Sequence, residues 1–222
     1  MKTENINLED HSRQRYVPIA IYDNDQVSSA KPKPLVFLNH GSNAPNTRYS
    51  YLANFLANEG YAVICIQHDL IGDELISLPK FNTGKLSETR MCIWECWVAN
   101  ISYTIFELKK IKPYYNLDEI TFIGHSTGGD AIMLFAAKYP KLVKELISLD
   151  GRRCPFPRNV KTRVLLFQAN DTTTDEGVIP GQEIHQLAIK VIKLDAAHRQ
   201  YSDSGTDQIK KEVIKNIAEF LG

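Results

Sequence analysis

The sequence predicts an α/β protein built on a mostly parallel, doubly wound β-sheet with helices on both faces. One observation is that short runs of consecutive apolar residues, such as Leu35–Leu38 and Tyr61–Ile66, are typical of strands buried on both faces. The other is that these runs alternate with segments of helical periodicity such as Thr47–Asn58, which Gly60 closes. Such alternation indicates βαβ units, whose right-handed crossovers place helices on both faces of the sheet.

The remaining elements follow the same alternation along the chain. The predicted strands are Tyr16–Tyr22, Leu35–Leu38, Tyr61–Ile66, Glu119–Ile123, Glu145–Leu149, Val164–Phe167 and Val191–Leu194. The predicted helices are Thr47–Asn58, Arg90–Lys110, Gly128–Lys138, Glu183–Lys190 and Thr206–Leu221. We expect a loose polar lead-in over residues 1–15, an irregular segment at Leu70–Leu86, and a single domain over residues 1–222.

Composition excludes several classes of protein. The chain has 222 residues, is 43% hydrophobic, and balances 26 basic against 26 acidic residues, so it has no basic stripe for nucleic acid. Its N-terminus, Met1–Asn5, lacks a signal peptide's apolar stretch, and no run approaches the ~18 apolar residues of a membrane span. We therefore expect a cytoplasmic protein. The four cysteines, Cys65, Cys92, Cys96 and Cys154, have neither the spacing of a metal site nor the pattern of a disulfide framework. We expect no cofactor or metal.

A nucleophile motif follows the strand predicted at Glu119–Ile123. Residues Gly124–Gly129 read Gly-His-Ser-Thr-Gly-Gly and precede the helix predicted at Gly128–Lys138. In such a motif the serine sits on a sharp strand-to-helix turn, and glycines two before and two after it allow strand and helix to pack closely. The pattern predicts that Ser126 is a catalytic nucleophile at the N-terminus of a helix, where negative charge is favoured.

A second loop, Asn39–Asn43, follows the strand at Leu35–Leu38. His-Gly at this point would bend the chain across the top of the nucleophile. We expect the backbone N–H groups of Ser42 and Thr127 to converge as an oxyanion hole. The side chain of His40 is expected to hold this loop by packing.

The general base should come last in chain order, after the final strand. His198 follows the strand at Val191–Leu194 and is the only histidine after His185, which lies within a predicted helix.

The acid has two candidates at the ends of earlier strands, Asp171 and Asp150, either of which could reach the base. A metal cluster of His68, Asp69 and Asp73 is conceivable, but a serine mechanism needs no metal.

These motifs resemble those of the α/β-hydrolase superfamily over about residues 34–221. Within it, the loop containing Asn39-His40-Gly41, the strand end Ile66–Asp69 and the Gly124–Gly129 motif look like the branch of dienelactone hydrolases and platelet-activating-factor acetylhydrolase-like esterases. Dienelactone hydrolases proper have a cysteine where this chain has Ser126. About a dozen residues separate Asp150 from the next strand, too few for a helical lid domain.

The resemblance bears on the choice of acid. In this fold the acid usually lies a few residues past the strand that precedes the last one, which favours Asp171. In the acetylhydrolase-like branch the acid lies one strand earlier, which favours Asp150, although Arg152 and Arg153 could simply pair with that carboxylate. Asp175 is a third choice. Position in the fold leads us to prefer Asp171.

The function expected from these residues is hydrolysis of small soluble carboxylic esters through an acyl-enzyme. A peptidase, amidase or thioesterase on the same triad is an alternative, and a non-catalytic binding protein of this fold is another. Ile71, Leu75 and Phe81 in the segment Leu70–Leu86 suggest a partial flap over an apolar acyl pocket, and with no full lid we expect short acyl chains rather than emulsified triglyceride.

Overall fold

An eight-stranded sheet forms the centre of the molecule. The computed structural model describes residues 2–24, 31–73, 86–158, 162–181 and 187–222. The eight strands are β1 (Lys2–Asp10), β2 (Arg15–Asp23), β3 (Leu35–Asn39), β4 (Ala62–Ile66), β5 (Ile120–His125), β6 (Val143–Leu149), β7 (Arg163–Gln168) and β8 (Ile189–Lys193).

The strands lie in the order β1-β2-β4-β3-β5-β6-β7-β8. Strand β1 pairs antiparallel with β2, and β2 pairs antiparallel with β4. The pairs from β4 to β8 are all parallel. The order reverses next to β3, so the carboxyl ends of β3 and β5 open onto the crevice where ligands of such sheets bind.

Four helices cover the two faces of this sheet: α1 (Ser50–Asn58), α2 (Leu86–Ile111), α3 (Thr127–Lys138) and α4 (Asp207–Leu221). Successive strand residues point to opposite faces, so Phe37 packs in the cluster with α2 and α3 while Leu38 packs in the cluster with α1 and α4. Both predicted features, a mostly parallel sheet and helices on both faces, are confirmed. Among the described helices, none combines the length and apolar character needed to cross a bilayer.

The N-terminal segment is not the loose lead-in that its polar composition suggested. Residues Lys2–Asp10 form strand β1, which pairs with β2 along its whole length. Burial alternates along it: Leu8 and Asp10 are buried, whereas Asn7 and Glu9 are exposed. The prediction was wrong because only some of the inward positions are apolar, so the period-two pattern is weak in sequence.

The turn after β1 is fixed by polar contacts that sequence reasoning did not anticipate. The buried carboxylate of Asp10 accepts hydrogen bonds from Ser12 and from Arg13 Nε at 2.5 Å. Arg13 in turn donates to Asn100 Oδ1 on α2 at 2.9 Å. The β1–β2 hairpin is therefore joined to α2 as well as to the sheet.

The last strand begins earlier than predicted. Ile189 and Lys190 belong to β8 and pair with β7, so the helix predicted at Glu183–Lys190 does not extend over them. Residues 183–186 of that predicted helix lie outside the described residues, as does most of the segment predicted to be irregular, at 74–85. The alternation of partly buried Ile189 and Val191 with exposed Lys190 explains the strand.

Strand β1 should contribute measurably to stability. We expect Leu8→Ala to lower the free energy of unfolding by about 2–3 kcal/mol, because Leu8 is only 7% exposed and packs in the core. Asn7→Ala, on the opposite side of the strand, should change it by less than about 0.5 kcal/mol. Urea unfolding measures both, and equal effects would show that β1 is not packed as described.

Candidate active site

Ser126 occupies a strained turn between β5 and α3. Its backbone has φ 53° and ψ −119°, in the left-handed half of conformational space that non-glycine residues seldom adopt. Neighbouring glycines make the turn feasible, because a Cβ on Gly124 would lie 2.4 Å from the carbonyl carbon of Gly128. A Cβ on Gly128 would lie 2.5 Å from the carbonyl oxygen of His40. The predicted elbow is therefore present, with glycines where strand and helix touch.

His198 follows β8, and three of its polar groups are held by neighbours. Its Nδ1 lies 2.5 Å from Asp150 Oδ2. Its backbone N–H donates to Asp171 Oδ1 at 2.7 Å. Its carbonyl oxygen accepts from His125 Nε2 at 2.9 Å. Among the described contacts Nε2 of the imidazole has no partner, so this nitrogen is available to accept a proton.

The surroundings of Asp150 favour its ionised form beside the imidazole of His198. It is 1% exposed, with φ 56° at the end of β6, and it accepts hydrogen bonds from the Ala169 N–H at 3.0 Å and from Thr172 Oγ1 at 2.9 Å. Burial by itself would raise the pKa of this carboxyl, but the hydrogen bonds from His198, Ala169 and Thr172 hold the pKa below its ordinary value. Arg152 Nε also lies 3.5 Å from Oδ2.

The preference for Asp171 as partner of the imidazole is corrected by this geometry. Asp171 is exposed, and its carboxylate binds the backbone of His198 rather than the ring. The loop after β7 runs beside the base loop, with Asn170 N donating to Ala196 O at 2.9 Å, which brings Asp171 to the main chain. Asp175, the third choice, is paired with Arg153.

Ser42 and Thr127 lie side by side at the elbow. A hydrogen bond of 2.6 Å joins Ser42 Oγ and Thr127 Oγ1. Within the described part of the chain, the backbone N–H of neither residue has a hydrogen-bond partner. A Cβ on Gly41 would lie 3.4 Å from the Cβ of Ser126, so this loop passes directly over the serine. Two N–H donors without a partner are thus available in the segments that adjoin Ser126.

A cleft of about 710 Å³ opens over these groups. It is lined by Gly41, Ser42, Asn43, Ala44, Arg48, Tyr49, His125, Ser126, His198, Arg199, Ser202 and Ser204. Ser126 and His198 therefore face one space. No hydrogen bond joins their side chains among the described contacts, and such pairs often tighten only when a substrate is bound.

Asp130, on the first turn of α3, organises the loop that follows Asp150. Its Oδ1 accepts the backbone N–H groups of Arg152, Arg153 and Cys154 at 2.9–3.1 Å. Burial raises the pKa of Asp130 to about 6 despite these donors. Asp130 was not among the predicted site residues, because its only signal in the sequence was an acidic residue in the first turn of a predicted helix.

The histidines near the end of β3 have structural roles. His40 is buried, donates from Nδ1 to Gly41 O at 2.7 Å and accepts the His68 N–H at Nε2, as expected for a histidine that holds the loop. His68 stacks on Trp97 and binds Asn39 Oδ1, and burial lowers its pKa. The conceivable cluster of His68, Asp69 and Asp73 does not form, because Asp73 pairs with Arg15.

The chain was compared with known families and structures. A family model described as serine aminopeptidase, S33, matches residues 30–150, more than half of the chain. A dienelactone hydrolase-like promiscuous phosphotriesterase from metagenomic libraries has a TM-score of 0.69 and 15% identity, covering 99% of this chain and 98% of its own.

Two further structures with this fold have names from ester chemistry. Dienelactone hydrolase from Anabaena variabilis has a TM-score of 0.63 and 18% identity, covering 99% of this chain and 97% of its own. Ferulic acid esterase from Streptomyces cinnamoneus has a TM-score of 0.66 and 18% identity, covering 90% of this chain and 75% of its own. The chain is thus a hydrolytic enzyme with the α/β-hydrolase fold, and it belongs to the serine aminopeptidase S33 family.

Proposed function

We propose that this protein is a serine esterase that cleaves small carboxylic esters with Ser126 as nucleophile, His198 as base and Asp150 as acid. The observation that carries the proposal is the His198 ring, bonded at Nδ1 to the buried Asp150 and lining the same cleft as the strained Ser126. Nucleophile, base and orienting acid are the three parts of such a triad.

Acylation follows from the free atoms of the site. Ser126 Oγ attacks the ester carbonyl carbon while its proton passes to Nε2 of His198. Asp150 stabilises the resulting imidazolium through Nδ1. The carbonyl oxygen becomes an oxyanion and accepts hydrogen bonds from the N–H groups of Ser42 and Thr127, beside the N-terminus of α3.

The end of acylation and the deacylation that follows it use the same atoms. The tetrahedral intermediate collapses, the C–O bond to the alcohol breaks, and the alkoxide takes the proton from His198 Nε2. Water then gives a proton to the same nitrogen as it attacks the acyl carbon, and Ser126 Oγ leaves with that proton. No cofactor enters the sequence of steps.

The charge of the cleft favours an ester with an anionic group over an aminopeptidase substrate. Arg48 and Arg199 line the cleft and are exposed, and neither has an ion pair within the described residues. The described lining contains no aspartate or glutamate. The family name suggests an aminopeptidase, but the ammonium group of a peptide would meet two cations and, among the described lining residues, no carboxylate to bind it.

The similar structures named dienelactone hydrolase and ferulic acid esterase support ester cleavage. Thioester cleavage on the same triad is a second candidate, supported by the similarity to a thioesterase domain from the curacin biosynthetic pathway. A non-catalytic binding protein is disfavoured because each part of the triad has a residue in place.

Ser126→Ala should abolish catalysis without unfolding the protein. We expect kcat on p-nitrophenyl acetate to fall by about 10⁵–10⁶, because triad residues act as a unit. A fluorophosphonate probe should label the native protein at Ser126 and leave the variant unlabelled, with circular dichroism as the control for folding. Near-normal turnover in the variant would refute Ser126 as the nucleophile, whereas a native protein with neither labelling nor turnover would favour the binding protein.

The two aspartates near His198 should differ sharply. Asp150→Asn should lower kcat by about 10⁴ with little change in KM, because a neutral amide cannot stabilise the imidazolium and its NH₂ can donate to Nδ1, which favours the wrong tautomer. Asp171→Asn should lower kcat by about tenfold or less, since Asn keeps an oxygen that can accept the His198 N–H. Both are measured on one ester at neutral pH, and the reverse order of effects would reinstate Asp171 as the acid.

The arginines should act on substrate binding. We expect mono-p-nitrophenyl succinate to have a lower KM than p-nitrophenyl butyrate, and the double variant with Arg48→Gln and Arg199→Gln to raise the KM for the succinate about threefold to tenfold, the range for exposed charged contacts. The KM for the butyrate is the matched control. Faster hydrolysis of alanine p-nitroanilide than of either ester would establish the aminopeptidase, and a preference for long-chain emulsions would contradict a small soluble substrate.

A further inference from the structure

A buried chain of hydrogen bonds runs beside the proposed triad, and the reaction steps above do not use it. It consists of the Gly41 N–H, the Tyr49 hydroxyl, the His125 imidazole and the His198 carbonyl. The Gly41 N–H donates to Tyr49 Oη at 3.1 Å, Oη lies 2.8 Å from His125 Nδ1, and His125 Nε2 lies 2.9 Å from His198 O. Tyr49 is 2% exposed and His125 is 6% exposed.

Only one arrangement of protons satisfies every contact. The carbonyl oxygen of His198 can only accept, so Nε2 of His125 carries a proton and donates it. In a neutral imidazole Nδ1 is then an acceptor, and Tyr49 must donate its hydroxyl proton there. The Tyr49 oxygen is left to accept the Gly41 N–H. Every link therefore runs in one direction, from Gly41 to His198.

The surroundings keep both side chains uncharged. Burial and the neighbouring His198 lower the pKa of His125 to about 3, against a smaller opposing effect of Asp150. Burial raises the pKa of Tyr49 to about 12. A protonated His125 would have to donate to Tyr49 from Nδ1, which would leave the tyrosine hydroxyl proton without an acceptor among the described groups.

The hydrogen-bond chain connects the three loops that surround the reacting atoms. Gly41 directly precedes Ser42 of the proposed oxyanion hole, His125 directly precedes Ser126, and His198 is the proposed base. The carbonyl of His198 is bound by His125 while its N–H is bound by Asp171 and its ring by Asp150. Removing the His125 contact would free one of the three constraints that direct Nε2 into the cleft.

We propose that Tyr49 and His125 are positioning residues that hold the oxyanion loop and the base loop in register around Ser126. The proposal rests on the function proposed above. Neither side chain exchanges a proton with the substrate; each acts through the backbone of a neighbouring loop. Misplacement of a catalytic group lowers the rate of the chemical step more than it weakens substrate binding.

Substitutions that remove single links test this role. We expect Tyr49→Phe and His125→Leu each to lower kcat about 5- to 20-fold with KM changed less than about twofold, the scale of one neutral hydrogen bond or more. His125→Gln should recover most of the His125→Leu loss, because its amide N–H can still donate to His198 O. The Tyr49→Phe and His125→Leu double variant should be little worse than either single variant, since both break one chain.

Tyr51→Phe provides the matched control. Tyr51 lies on α1, two residues from Tyr49, and donates its hydroxyl to Tyr201 O at 3.0 Å, outside the hydrogen-bond chain. Loss of the Tyr51 hydroxyl should lower the free energy of unfolding in urea as much as Tyr49→Phe does, but should leave kcat within about twofold of the native value. Equal falls in kcat for the two tyrosine variants, or a Gln variant no better than the Leu variant, would reduce the chain to a general stabilising role and overturn the proposal.

A spectroscopic readout separates this proposal from the proposed function. Imidazole ¹⁵N shifts of the native protein should show His125 in one tautomer, protonated at Nε2, and uncharged throughout the range from pH 5 to 9. Tyr49→Phe should leave the proton on Nε2, because His198 O still accepts it, but should move the Nδ1 shift to that of an imidazole nitrogen without a hydrogen-bond donor, even if no ester is ever found as a substrate. A His125 that titrates in the native protein, or an Nδ1 shift that does not change in Tyr49→Phe, would overturn the inference. Failure of the fluorophosphonate probe to label Ser126 in the native protein would contradict only the esterase proposal.

Discussion

The site depends on how closely the first turn of α3 approaches the ends of β3 and β5. Gly128 leaves no room for a side chain against the carbonyl oxygens of Asn39 and His40, and Gly124 leaves none against Gly128 itself. That contact forces Ser126 into its positive-φ turn and brings the loop of Gly41 over it. Any residue that separated helix from strand would move the proposed nucleophile and the proposed oxyanion donors apart together, because one contact sets both positions.

The class of fold was predictable from sequence because its central strands are apolar on both faces. Continuous runs such as Leu35–Leu38 can only be satisfied inside a layered structure, and strands β3 to β7 lie close to their predicted positions. The edges were less predictable. Strand β1 alternates weakly, and β8 is only partly buried, so the pattern carried little information about which residues face inward.

At the site, the turn was predicted well because it depends on residues adjacent in sequence. The turn at Ser126 is encoded by neighbouring glycines, and a side-chain hydrogen bond joins Ser42 to Thr127 beside it. The partner of His198 was harder, because Asp150 and Asp171 end neighbouring strands and both reach the same loop. Strand position alone does not distinguish a carboxylate beneath the ring from one at the main chain. Tyr49 and His125 were missed because their contacts join segments far apart in sequence.

The two outer strands also bear on how this molecule behaves in a crowded solution. An open sheet leaves unpaired backbone groups on its outer strands, which invites pairing with another molecule. Here β8 carries exposed Lys190 and Lys193, and β1 carries exposed Lys2 and Glu9. A second copy aligned along β8 would bring lysines together, and β1 offers a polar ribbon with little apolar surface to bury. The strands that were hardest to recognise in the sequence, β1 and β8, are therefore the ones whose mixture of polar and apolar residues discourages aggregation. The apolar strands lie between them and are paired on both sides.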